Sequence, residues 1–131
     1  MPTAVDEILR YGTPIIYFRR TATRSTEIRG VSIEAGDRVA LWYVAANFDE
    51  EVFEEPSRFD IGRHPNPHVT FGRGGPHFCL GSFLAHLEIR ILLEEILARD
   101  VRFELTGPPV RLSSNFINGF KSLPVRVVPA H

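Results

Sequence analysis

The sequence holds a single thiol, Cys79, and its neighbours decide what that thiol could do. It stands near the end of Phe71-Gly72-Arg73-Gly74-Gly75-Pro76-His77-Phe78-Cys79-Leu80-Gly81, immediately before a long helical pattern. A sulfur at a helix N-terminus meets unpaired backbone N–H groups and the positive end of the dipole, and both favour the thiolate. The glycines at 72, 74, 75 and 81 remove side chains where a flat ligand could lie against backbone, and they open turns closed to other residues. Other chemistries compete. A lone cysteine is by default a small buried hydrophobe. A zinc site would join Cys79 to His64, His68, His77 or His86, yet only one thiolate is on offer and no Cys-x-x-Cys knuckle exists. A nucleophilic cysteine needs a base and oxyanion donors beside it, whereas Phe78 and Leu80 flank this one.

The elements that must position this loop can be read along the chain. Thr3 with Asp6 is a helix start, Val5, Ile8 and Leu9 make one apolar stripe, and Gly12 before Pro14 is a stop, which predicts a helix over 4–11. Ile15 to Leu41 is rich in β-branched and aromatic residues. Breaks at Arg29-Gly30 and Ala35-Gly36-Asp37 predict two or three strands there. Val39 to Val44 is nearly all apolar, which predicts a strand buried on both faces. Asn47 to Glu55 suits one or two helical turns, and the prolines at 56, 65 and 67 predict an irregular meander in which Phe59 and Ile61 still offer apolar surface to bury. After the glycine loop an amphipathic helix is predicted from Leu80 to Arg99, with Leu80, Leu84, Leu87 and Ile91 on its packing face beside Phe83. Val101, Phe103 and Leu105 alternate as in a strand, and Asn118-Gly119 predicts a tight hairpin between two more.

Composition narrows the field without selecting a chemistry. A chain of 131 residues suits one domain, and 44% hydrophobic with 24% charged residues is ordinary for a globular protein. Fifteen basic and sixteen acidic residues are spread along the chain for a net charge of -1, so no basic stripe invites nucleic acid. Asp6, Glu7 and Arg10 interrupt what would be the apolar stretch of a signal peptide, and no apolar run approaches a membrane span. With one cysteine no intrachain disulfide can form, which fits a reducing, cytoplasmic setting.

Gly75-Pro-His-Phe-Cys79-Leu-Gly81 resembles the cysteine-ligand loop of the cytochrome P450 family, Phe-Gly-x-Gly-x-His-x-Cys-x-Gly. Here Phe71 lies one residue further from the cysteine than that pattern has it. Glu7-Ile8-Leu9-Arg10 is similar to the family's Glu-x-x-Arg helix, and Pro56-Ser57-Arg58-Phe59 resembles its meander segment. Asn47-Phe48-Asp49 departs from the common Asn-Arg-Asp, so an ion pair made by that arginine is absent. The resemblance extends along all 131 residues and corresponds to the last third of a family member. It implies an α+β fragment of the mainly α cytochrome P450 fold: short helix, small β-sheet, meander, cysteine-ligand loop, long amphipathic helix and C-terminal β-hairpin, with residues 1–131 as one C-terminal haem-binding portion of the domain.

The resemblance further implies haem b as cofactor and Cys79 as the proximal thiolate on its iron. His77 and Arg20 would meet the propionates, while Phe71, Gly72 and Gly81 would shape the bed of the ring. Alternation along a strand keeps Arg19 and Arg20 from pointing the same way. Glu7, Arg10 and Arg58 would form a salt-bridged cluster behind the loop; positions 7 and 10 share a helix face. Ile15, Ile16, Tyr17, Phe116 and Ile117 read by default as strand core, and the resemblance places them along a substrate cavity. The implied activity is a monooxygenase taking electrons from a ferredoxin or flavoprotein reductase and oxidising an apolar substrate with O2. Ser114 to Gly119 and Phe18 to Thr21 resemble actinobacterial members that act on sterols and branched lipids. Two rivals stand beside this reading: a non-catalytic truncated remnant, and a small metal- or haem-binding protein.

Overall fold

A computed structural model describes residues 2–131. Helix α1 runs Pro2–Gly12, followed by strands β1 (Tyr17–Thr21), β2 (Thr26–Ile28), β3 (Val31–Ile33) and β4 (Arg38–Trp42). The short helix α2 spans Tyr43–Asn47, the long helix α3 spans Ser82–Ala98, and four strands close the chain: β5 (Val101–Leu105), β6 (Val110–Arg111), β7 (Phe120–Ser122) and β8 (Val125–Pro129). The strands make four antiparallel two-stranded ribbons, β1–β4, β2–β3, β5–β8 and β6–β7. Ribbon β5–β8 brackets β6–β7, and an isolated bridge from Ile15 to Ile117 ties the C-terminal ribbon back to the chain before β1.

Helix α1 begins two residues earlier than predicted, because proline is favoured in a first turn whose N–H groups have no partner anyway. Thr3 therefore lies inside the helix instead of capping it. At the other end, the Thr13 hydroxyl donates to the Arg10 carbonyl at 2.6 Å and the Thr70 hydroxyl donates to the Leu9 carbonyl at 2.9 Å. The first satisfies a carbonyl left open because Pro14 has no N–H to give it, and the second joins the Thr13 N–H on the Leu9 carbonyl.

Several predicted details are corrected. The strand expected over Val39 to Val44 is Arg38–Trp42, and Tyr43 and Val44 already belong to α2. Far from being buried on both faces, Ala40, Leu41 and Trp42 are exposed, since β4 pairs only with β1 and borders an open cavity. The helical turn expected at Asn47 to Glu55 ends at Asn47, and the chain continues as a series of turns in which the Asp49 carbonyl accepts the N–H groups of Val52 and Phe53. Phe59 and Ile61 in the meander stay exposed, although the Phe59 ring meets the Tyr11 ring edge-on, centroids 5.4 Å apart. Finally, Asn118-Gly119 is no two-residue turn. Arg111 pairs with Phe120 across a loop of eight intervening residues, and the Asn118 N–H donates instead to the Pro14 carbonyl.

The long helix is present with nearly the predicted bounds, but it packs on a different stripe. Ser82 is buried and Ala85, His86, Ile89, Leu93 and Ile96 are half-buried at helical spacing, against α1 and β5. The expected packing face of Leu80, Leu84, Leu87 and Ile91, with Phe83, points outward. Apolar residues occupy both sides of α3, so the helix is apolar around most of its girth.

The buried centre lies between α1, α2 and the meander. It contains three apolar residues, Val5, Leu9 and Phe53, and six polar ones, Glu7, Arg10, Thr13, Asn47, Thr70 and Ser82. A centre so rich in polar groups stands only if its hydrogen bonds are made. Asn47 shows how: its amide donates to the Thr13 and Thr70 hydroxyls at 2.9 and 3.0 Å, its side-chain oxygen accepts the Val69 N–H at 2.8 Å, and its carbonyl accepts from Arg10 at 2.8 Å.

Candidate functional site

The glycine loop is closed on itself. The Cys79 N–H donates to the Phe71 carbonyl at 2.9 Å, the Gly72 N–H donates to Val69 at 2.8 Å, and the Phe78 N–H donates to Gly75 at 3.2 Å. Within this closure Gly72, Gly74 and Gly75 adopt φ of +80°, +70° and +77°, a backbone that side-chain-bearing residues rarely take. The Ser82 N–H donates to the Cys79 carbonyl at 3.2 Å, so the cysteine sits one turn ahead of α3, as the sequence predicts. Its sulfur is exposed and accepts no hydrogen bond among the described residues. The expected cluster of N–H groups aimed at sulfur is thus not formed.

Over the sulfur lies a cavity of about 330 Å³ whose lining includes Ile15, Phe18, Arg20, Tyr43, Phe71, His77 and Cys79. A second, of about 470 Å³, shares Arg20, Tyr43 and His77 and extends past Trp42, Gly72 and Arg73. The two form a slot with aromatic and aliphatic walls, sulfur at one side, and the cationic Arg20 and Arg73 along it. That donor set suits haem: a flat apolar ring, a soft ligand for iron, and cationic groups for carboxylates at the ring's edge. A Cβ on Gly72 would come within 3.8 Å of the His77 carbonyl and the Tyr43 hydroxyl, narrowing the slot's wall. A Cβ on Gly81 would touch the Cys79 sulfur at the same distance.

Cys79, His77, Arg20 and Phe71 therefore come together, with Gly72 in the wall and Gly81 beneath. Arg20 borders both halves of the slot, donates to the Arg19 carbonyl at 3.0 Å and lies 5.8 Å from the Phe18 ring centroid. Of the five residues expected along a substrate cavity, Ile15 lines the chamber over the sulfur, and Ile16, Tyr17, Phe116 and Ile117 do not. Ile16 spends its backbone on Phe116, Tyr43 and Val44, Phe116 packs edge-on against Tyr17 and Phe18, and Ile117 bridges to Ile15. Sequence reasoning passes over Tyr43. Its place in the slot comes from the break between β4 and α2, which no periodicity announces.

Behind the loop, Glu7 and Arg10 are fully buried and form a two-pronged pair, Arg10 Nε to Oε2 at 2.8 Å and Nη2 to Oε1 at 2.7 Å. Arg10 also donates to the carbonyls of Asn47, Pro56 and Arg58, which pins the meander to α1. The third member of the cluster is Arg63, not Arg58. Arg63 Nε lies 3.2 and 3.4 Å from the Glu7 oxygens and its side chain is 9% exposed, whereas the Arg58 side chain is 65% exposed and pairs with Glu55. Arg58 contributes only its carbonyl, which accepts from Arg10 and Arg63. Burial alone would raise the Glu7 carboxyl, but hydrogen bonds from Arg10, the Asp60 N–H and Arg63 outweigh it and hold the pKa down at about 2.

His77 shares the cavity with the sulfur, while His64, His68 and His86 do not line it. Among the described residues, one group of side chains is spaced to hold a metal ion, Asp6, His68 and His86, and Cys79 is outside it. The zinc arrangement built on Cys79 therefore has no geometric support.

The cytochrome P450 family model matches residues 1–123 of the chain. The chain is 51% identical over 124 residues to a methyl-branched lipid omega-hydroxylase of Mycobacterium tuberculosis, covering 95% of this chain and 29% of that protein. It is 48% identical to a steroid C26-monooxygenase of Rhodococcus jostii, covering 94% of this chain and 26% of that one. Among solved structures, cytochrome P450-153 from Novosphingobium aromaticivorans superposes with a TM-score of 0.91 at 45% identity, over 97% of this chain and 32% of that chain. The chain thus spans under a third of the length of these relatives.

Proposed function

The chain belongs to the cytochrome P450 family, and from that premise we propose that it supplies the haem-thiolate bed of a monooxygenase, with Cys79 as the protein ligand to the iron of haem b. The observation that carries this reading is the exposed sulfur opening into a slot walled by Phe71, Phe18 and Tyr43 and bordered by Arg20. When bound through a thiolate, haem supplies an electron-rich iron that favours O–O bond cleavage.

The chain's own residues do the holding. Cys79 provides a lone pair at a position fixed by the Phe71 carbonyl and by the start of α3. Arg20 and His77, which border the slot, would meet the ring's carboxylates, Gly72 would leave its wall open to the ring, and Glu7, Arg10 and Arg63 tie the meander to α1 behind the loop. In the complete enzyme we expect an apolar substrate of the sterol or branched-lipid kind, which agrees with the names of the mycobacterial and Rhodococcus relatives. Electrons would come from a ferredoxin or flavoprotein reductase. A cytoplasmic setting accords with the unpaired cysteine, and no helix among the described residues is long and apolar enough to cross a membrane.

The test is direct. Haem added to the purified chain, reduced under carbon monoxide, should give the red-shifted Soret band of a thiolate ligand, and Cys79→Ala should lose that band. An unshifted band, or one that survives the substitution, sinks the assignment. A chain that takes up no haem would point to the truncated remnant instead.

A further inference from the structure

Asp6 on α1, His68 ahead of the glycine loop and His86 on α3 each offer one ligand atom, and all three atoms lie within 4.8 Å of one another. His86 Nε2 is 3.2 Å from Asp6 Oδ1 and His68 Nε2 is 3.8 Å from the same oxygen. Around a tetrahedral zinc with ligand bonds of about 2.0 to 2.1 Å, neighbouring ligand atoms stand about 3.3 Å apart. The two distances to Asp6 are already near that spacing, and the histidine nitrogens lie within 4.8 Å of each other.

The contacts of His86 suit a positive charge beside Asp6, whether a ring proton or a metal ion. Its Nδ1 lies 2.7 Å from the Ser82 carbonyl, which only accepts hydrogen bonds, so Nδ1 must carry a proton. In the neutral ring, Nε2 then presents a lone pair to a carboxylate oxygen 3.2 Å away, a contact with no donor in it. Either a second proton or a cation resolves it. A backbone carbonyl on the far nitrogen is also the arrangement that fixes a metal-binding histidine in its ligating tautomer. Burial lowers the pKa of His68, which favours the neutral ring that a metal would need, although Asp6 pulls the other way. Ligation through Nε2 would cost the hydrogen bond of 3.4 Å that the Thr70 N–H donates to His68 Nδ1. At that length little is lost. Arg90 lines the hollow beside Asp6 and His86 and weakens any cation there, but it pairs with Glu94.

We propose that Asp6, His68 and His86 form a site for one zinc ion, three protein ligands with a fourth position for water, clamping α1 to α3. It does not rest on the haem reading, since Cys79 and Arg20 are not among its ligands, although the Phe71 ring that walls the slot lies against both histidines. Calorimetric titration of the purified full chain with zinc chloride should show one ion per chain, and Asp6→Asn and His86→Leu should each weaken binding at least tenfold. Zinc-edge X-ray absorption of the loaded wild type should show nitrogen and oxygen neighbours only, which keeps the test decisive even if a variant folds poorly. No binding, binding unchanged in both variants, or a sulfur neighbour at about 2.3 Å overturns the proposal.

Discussion

Arg58 and Arg63 are five positions apart in one meander, and only their surroundings tell them apart. The first stands in solvent beside Glu55, while the second reaches a fully buried carboxylate. Arg63→Ala would leave Glu7 paired with Arg10 but strip the Arg63 hydrogen bonds to Glu7 and to the carbonyls of Glu54, Glu55 and Arg58, so it should cost about 2 kcal/mol of stability. Arg58→Ala should cost within about 0.5 kcal/mol, because its carbonyl is untouched and its exposed pair is worth little. Urea unfolding midpoints of the two variants check this, and equal losses would refute it. The sequence shows why Arg58 attracts attention: it stands in the Pro-x-Arg-Phe segment that resembles the family's meander. Nothing in spacing reveals that the irregular chain after Phe59 doubles back to deliver Arg63, because prolines and turns set that path and have no period. Cys79, His77 and Arg20, by contrast, are legible, since a short loop and a paired strand leave few ways to place them.

At the level of elements, α1 is held by its end as much as by its apolar face. The Thr13 and Thr70 hydroxyls donate to carbonyls of its last turn and accept from Asn47 of α2, which takes part in four hydrogen bonds at once. Asn47→Ala would remove the three that its side chain makes and leave the Val69 N–H and two hydroxyls short of partners in a dry centre. A loss of about 2 to 3 kcal/mol is expected. Haem affinity should fall with it, since the Val69 carbonyl anchors Gly72. Thermal melting together with haem titration tests the pair, and an unchanged affinity alongside lost stability would separate hub from loop. The existence of α1, α3 and β5 is readable from periodicity. The packing face of α3 is not, because its apolar residues run around the helix and only the positions of α1 and β5 select Ile89, Leu93 and Ile96 as the inner stripe.

Across the described residues, the outward side of α3 carries the most exposed of the large apolar side chains. Leu80 is 97% exposed and Phe83 84%, with Leu84, Leu87, Ile91 and Leu92 beside them. A contiguous apolar face of this kind promotes association in water. The chain should therefore bind a hydrophobic dye and self-associate, and the double substitution Leu84→Glu with Leu87→Glu should reduce both without lowering the melting temperature, as sedimentation and dye fluorescence would show. A monomer that ignores the dye would contradict this reading. The whole also rests on one small closure, the hydrogen bond of 2.9 Å that joins the Phe71 carbonyl to the Cys79 N–H. A hoop fastened at its two ends can take in slack without moving the fastening, so the glycine run between them can gain a residue while the sulfur keeps its station. Contour length here is tunable, and glycines added or trimmed inside the hoop should be borne far better than any change at the clasp.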